Sequence, residues 1–262
     1  MEAGTNIGYQ VVLRLADDRV IAPDAAARRA LASAVTRVGR ERGLLAFGAA
    51  DTHLHLLALS DRPGAGLLAR GTELALRAAL ALPVAFGAPA ITPIEDQRHL
   101  MSAFGYVQRN ARRHGNLDPM ATEASSLHDL LALRRNAPWL ILRVKRALPR
   151  VTRASLLELM AMPDFGCDGA VSSELADAAA AAFALPDLAG KAPEAVRARL
   201  AGIALVKGVW TPQTIAATFH ICERAVRRIA SQTADPLDVV ALRRQLAWRS
   251  AARLAARSTD GF

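Results

Sequence analysis

The sequence predicts an α+β protein, an antiparallel sheet with helices on one face followed by an all-helical C-terminal region. Three observations carry this. Up to about residue 118, short apolar runs alternate with amphipathic stretches of helical period. Beyond that point strand signals disappear. Hydrophobic residues at 52% and charged residues at 22% of 262 are globular proportions, which excludes a mostly disordered or fibrous chain. The length accommodates one or two domains with a sizeable core.

Taken in order, residues 10–15 (QVVLRL) read as a strand. Residues 24–42 read as a long amphipathic helix, with Pro23 and Asp24 as its start signal and Gly43 as its stop. Residues 44–60 place two apolar strands around a small-residue turn at 49–52, a hairpin pattern. Residues 66–82 read as a second helix closed by Pro83, and 84–91 as a strand whose Pro89 marks a sheet edge. Residues 96–114 are then a helix ending at Gly115. The order β-α-β-β-α-β with one extra helix is the split βαβ, or ferredoxin-like, pattern.

Helices follow at 125–147 and 152–162, with a linker at 163–169. The alanine run at 178–182 is a helix by propensity, and 194–207 is helical by pattern. No internal repeat is present. The expected organisation is a first domain over 1–118, a helical extension over 119–165 and a helical region over 166–262.

The chain is basic, with 33 Lys+Arg against 24 Asp+Glu and a net charge of +9. Only Lys145, Lys191 and Lys207 are lysines, and the arginine and alanine bias is what a GC-rich coding sequence produces unaided. Position says more than the total. Residues 1–150 hold 20 basic and 13 acidic residues, a net +7, against +2 for the remainder. The excess lies around Arg109, Arg112 and Arg113, and in a second stretch that begins at Arg134 and Arg135. Residues 1–4 lack the basic head and apolar run of a secretion signal, and Arg77, Pro83 and Pro89 break the longest apolar window. Cys167 and Cys222 have no neighbouring ligand pattern. A cytoplasmic protein without a membrane span is expected.

His53 and His55 are one residue apart on an expected strand, so both imidazoles point to one face. That spacing suits a divalent metal and equally suits two histidines without a ligand. Leu54, Leu56 and Leu57 make the strand a buried one, where two adjacent histidines require a polar reason. Tyr106 provides one, because Asn110 follows it by four residues and shares its helix face. A tyrosine oxygen beside two imidazoles and an amide suits metal-assisted nucleophilic attack on a phosphate; the alternative is a tyrosine packing its ring on the sheet.

The segment Thr52-His53-Leu54-His55-Leu56-Leu57 resembles the HUH strand of single-tyrosine HUH transposases, and Phe104-Gly105-Tyr106-Val107-Gln108-Arg109-Asn110 resembles their catalytic helix. The subgroup it is most similar to is the REP-associated tyrosine transposases, whose helix reads Y-[IV]-H-x-N-P-V-R-A-G. Ala124-Ser125-Ser126-Leu127 and Pro138-Trp139-Leu140 echo the family's W-S-S-Y segment and its sequel, and the resemblance spans residues 8–142. It implies His53, His55 and Asn110 as ligands of Mg²⁺ or Mn²⁺, and Tyr106 as a nucleophile forming a 5′-phosphotyrosine on hairpin-bearing single-stranded DNA. Arg109, Arg112, Arg113, Arg134 and Arg135 are then expected to contact DNA. The sequence departs from the family at Gln108, where His is usual, at Ala111, where Pro is usual, and at Ala124 and Leu127, which replace aromatics.

Residues 211–231 (TPQTIAATFHICERAVRRIAS) place Ile215, Ala216, Phe219, Ile221, Val226 and Ile229 where a helix-turn-helix needs apolar or small residues. His220 takes the turn position where glycine is usual. Arg224, Arg227 and Arg228 then lie on an exposed second helix suited to duplex DNA; an ordinary amphipathic helix pair is the alternative. The overall expectation is a metal-dependent DNA-cleaving and strand-joining transposase acting as a monomer or homodimer. A non-catalytic DNA-binding regulator with the same fold, and a phosphodiesterase that uses water, are the competing readings.

Overall fold

The computed structural model describes residues 6–114, 119–166 and 173–259. Two compact units divide the chain: one comprises Met1–Leu131 with Ala137–Ala161, the other Ala132–Asn136 with Met162–Phe262. Most of the expected extension over 119–165 therefore folds with the sheet and forms no unit of its own.

In the first unit, β1 (Gly8–Arg14) is followed by α1 (Ala25–Gly39), whose start is fixed by the Asp24 carboxylate accepting from the Ala27 amide at 2.8 Å. The hairpin of β2 (Leu44–Ala50) and β3 (His53–Ala58) turns at Asp51, with φ 32°. The helix α2 (Arg62–Leu80) begins earlier than the pattern suggested, because Asp61 caps it and Pro63 fits its first turn. The next strand, β4 (Ala90–Ile94), overlaps the expected 84–91 only at its end. Ahead of it the chain makes just a single bridge, Phe86 to Leu15, and pairing settles where the alternation of 90–94 meets β1.

The sheet is antiparallel, in the order β2-β3-β1-β4. Tyr9, Val11, Leu13, Phe47, Leu54 and Leu56 point to a core shared with Leu31, Val35, Leu68 and Leu76 of α1 and α2. The intervening residues face the other side, where α3 (Gln97–Gln108) packs on β2 and β3 and α4 (Asn110–Arg113) on β2.

Beyond this lie a 3-10 turn (Pro119–Ala124), α5 (Leu127–Leu130), α6 (Pro138–Ala147) and α7 (Arg153–Leu159). The 3-10 turn is pinned to α1 by a buried ion pair, Arg29 to Glu123 at 2.8 Å. The Arg143 guanidinium of α6 donates to the carbonyls of Gly39, Arg40 and Leu44 at 3.2, 2.7 and 2.8 Å, and burial lowers its pKa.

Among its described residues the second unit contains helices and no strand: α8 (Leu175–Ala182), α9 (Pro193–Val206), α10 (Pro212–Phe219), α11 (Glu223–Ala230) and α12 (Pro236–Thr259). Its core joins Phe183, Ile203, Phe219, Val226, Ile229, Leu242 and Leu246. The chain passes from α10 to α11 through His220 in the left-handed region, φ 51°, the conformation that glycine would adopt at lower cost. Residues 163–166 are irregular, as the linker expectation required, while 167–169 lie outside the described residues. So does Gly115, the expected stop of the 96–114 helix. No described helix is long and apolar enough to cross a membrane.

Candidate active site

His53 and His55 lie on the face of β3 opposite the helix-covered core, because Leu54 and Leu56 take the alternate positions. Both histidines are buried, and their rings meet edge to face with centroids 4.9 Å apart. Tyr106 of α3 brings its half-buried ring to 5.1 Å from that of His55. His114, at the end of α4 and exposed, brings its ring to 4.6 Å from that of His53.

The expected single helix over 96–114 breaks at Arg109, whose N–H is shared between the Gly105 and Val107 carbonyls. Two contacts with β2 accompany the break. Gly48 lies directly across from His55, and a Cβ there would strike the Val107 carbonyl, so only glycine lets α3 approach this closely. Asn110, buried at the start of α4, donates from Nδ2 to the Gly48 carbonyl at 3.2 Å. Tyr106 and Asn110 consequently sit on two helical pieces, and both reach the histidine face.

Asn110 Oδ1 and His55 Nε2 are buried atoms with no hydrogen-bond partner among the described residues. Such atoms are rare in folded proteins because leaving one unsatisfied costs about 1–3 kcal/mol. The second nitrogen of each ring is turned toward the protein: His55 Nδ1 lies 3.0 Å from Gln10 Nε2, and His53 Nδ1 lies 3.5 Å from Thr52 Oγ1.

Burial pushes the His55 pKa down to about 4, helped by the neighbouring His53 and His114. Burial also lowers that of His53, reinforced by His114 and Arg14. The Asn110 side chain and Asp51 oppose that shift, although no hydrogen bond of good geometry joins Asn110 Oδ1 to the ring. Both imidazoles are therefore neutral at pH 7, the state in which a histidine ligates a metal.

Among the described residues no group of three or more His, Cys, Asp and Glu side chains is placed to hold a metal ion. An ion at this site must take the histidines with a ligand of another kind. The Asn110 amide oxygen is a ligand of that type, and two imidazoles with one amide oxygen are donors that Mn²⁺ or Mg²⁺ can accept.

Gln108 does not join the histidines. It is buried and donates to Ser126 Oγ at 2.8 Å; Ser126 Oγ in turn accepts from the Phe47 amide and donates to the Phe47 carbonyl, each at 3.1 Å. It ties the end of α3 to the edge of β2.

The arginines separate into two groups. Arg109 is exposed, and the side chains of Arg112 and Arg113 lie outside the described residues. Arg134 is buried, which corrects the expectation of a surface contact. Arg135 is half-buried and pairs with Asp238 at 3.1 Å and Asp235 at 3.7 Å, so its charge is already matched. On α11, Arg224, Arg227 and Arg228 are exposed, and Arg227 makes a surface pair with Glu223 at 3.4 Å.

Gln10, Arg14, Gly48 and His114 belong to the site and were not singled out by motif. Gln10 and Arg14 carry a legible signal, two polar residues four apart in an apolar strand and hence on one face. Gly48 and His114 carry none before the packing is known. No protein-family model matches the chain, and neither a curated protein nor a solved structure matches it.

Proposed function

We propose that this chain is a metal-dependent DNA strand transferase of the single-tyrosine HUH type, similar to REP-associated tyrosine transposases. The observation that carries the reading is the Tyr106 ring lying 5.1 Å from that of His55, on a sheet face where two buried ligand atoms, His55 Nε2 and Asn110 Oδ1, have no hydrogen-bond partner among the described residues. The sheet order β2-β3-β1-β4 supports it, since this is the order of the split βαβ, or ferredoxin-like, unit.

His53, His55 and Asn110 would hold Mg²⁺ or Mn²⁺, which supplies electrophilic stabilisation of the scissile phosphate. Tyr106 Oη attacks phosphorus, an O–P bond to tyrosine forms, and the bond from phosphorus to the 3′-oxygen breaks. The phenol proton leaves to solvent, and the departing 3′-oxygen takes up a proton. The linkage retains a phosphodiester, so a 3′-hydroxyl reverses the step and joins strands without ATP. Arg109, on the surface beside this helix end, is suited to the flanking backbone.

In the second unit, two short helices, α10 and α11, joined by the left-handed turn at His220 support a helix-turn-helix reading, in which exposed Arg224, Arg227 and Arg228 would suit duplex DNA. The competing reading, a non-catalytic DNA-binding regulator, draws on the same arginines and on Gln108 being engaged with Ser126.

Incubation with a labelled hairpin-bearing single strand and Mn²⁺ separates the two. A denaturation-resistant adduct that Tyr106→Phe abolishes is the expected result. Binding without an adduct on any such DNA selects the regulator.

A further inference from the structure

Gln10 and His55 sit diagonally across the β1–β3 ladder, since Val12 lies opposite His55 and Gln10 opposite Leu57. The Gln10 amide reaches His55 Nδ1 at 3.0 Å, and no group among the described residues bonds the imidazole through its remaining nitrogen. This one contact therefore decides where the ring carries its proton. A carboxamide keeps its shape when turned by half a circle, so either end fits against Nδ1.

The two ends have opposite consequences. With the amide nitrogen against Nδ1, the ring proton sits on Nε2, a buried N–H with no acceptor. With the amide oxygen there, Nδ1–H is satisfied and Nε2 keeps its lone pair, with no hydrogen-bond partner among the described residues. We infer that Gln10 is a positioning residue for His55: its side-chain oxygen holds the proton on Nδ1 and so presents Nε2 as a metal ligand. The inference rests on the metal reading above. Outer hydrogen-bond partners of this kind typically change metal affinity by about 10–100-fold.

The test is Mn²⁺ binding to the full chain at pH 8, followed by the loss of the free-ion paramagnetic resonance signal. Wild type, Gln10→Glu, Gln10→Leu and His53→Ala are compared. A carboxylate can only accept from Nδ1–H, so Gln10→Glu should bind Mn²⁺ about tenfold more tightly than wild type, whereas Gln10→Leu should bind about tenfold more weakly. If both bind within twofold of wild type while His53→Ala does not bind, the metal reading stands and the role of Gln10 is overturned. If wild type itself binds no Mn²⁺, both fall.

Nitrogen-15 spectra of His55 in the Mg²⁺-loaded wild type give a readout that needs no variant. A proton on Nδ1 is the expected result, and a proton on Nε2 overturns the assignment.

Discussion

The two faces of the four-stranded sheet differ in kind although the same strands build both. On one face Val11, Leu13, Leu54 and Leu56 are sealed against α1 and α2. On the other, Gln10, Arg14, His53 and His55 meet Tyr106, Asn110 and His114. Period-two alternation makes this possible, and it places the core and the candidate site one residue apart. Substitutions at adjacent positions of β3 should therefore act on different properties.

Leu56 and His55 give the widest separation. Leu56→Ala opens a cavity in a fully buried position and should cost about 2–5 kcal/mol of unfolding free energy. His55→Ala should cost about 1 kcal/mol yet abolish any stabilisation by added Mn²⁺. Urea denaturation with and without the ion measures both. Equal losses for the two variants, with Mn²⁺ stabilisation retained in His55→Ala, would break the comparison.

The polar face should also carry a pH dependence that the apolar face lacks. His55 is neutral in both folded and unfolded chains above its ordinary pKa of 6.5. Between 6.5 and about 4 the unfolded chain binds a proton that the folded chain refuses, so stability falls as pH falls. The full contribution is about 3 kcal/mol, lost by about pH 4, and His53 acts in the same direction. Melts of the metal-free protein at pH 7, 5.5 and 4.5 should show this slope, reduced in His55→Ala.

Gly48 joins the faces' two requirements at one point. In Gly48→Ala the new methyl meets the Val107 backbone carbonyl, which cannot swing aside as a side chain would. The end of α3 must shift, at about 1–3 kcal/mol, and Asn110 shifts with it through its bond to the Gly48 carbonyl. A smaller stability loss than Leu56→Ala with a clear loss of Mn²⁺ affinity is the expected pair of results.

Much of this arrangement was legible in the sequence. The H-x-H alternation, the Asp24 start of α1 and the hairpin around Asp51 are local signals, and local signals survive folding. The strand at 84–91 was misplaced because an apolar run can read as a strand wherever it falls, whereas pairing with β1 chose 90–94. The break at Arg109 was invisible for a similar reason: it accompanies the contacts of Val107 and Asn110 with Gly48, about sixty residues away in the chain. Arg134 and Arg135 show the limit most plainly. Charge in a sequence says that a residue is basic, and only packing says whether the charge faces water.

Arginines within the second unit differ in the same way. Arg227 and Arg228 are exposed on α11, and their replacement by alanine should change stability by no more than about 0.5 kcal/mol. If α11 contacts duplex phosphates, each removed charge should lower the slope of log affinity against log salt by about 1. Arg135→Ala should do the reverse, because Asp238 is almost fully buried and would lose one of the two arginines that pair with it among the described residues, keeping Arg197 at 3.0 Å through Nε and 2.6 Å through Nη2. It should destabilise the unit and leave the salt slope unchanged. A duplex-binding titration at several salt concentrations, run beside urea melts, reads both. A salt slope indifferent to Arg227 and Arg228 would leave α11 as a packing helix, and duplex recognition would then have no support in this unit.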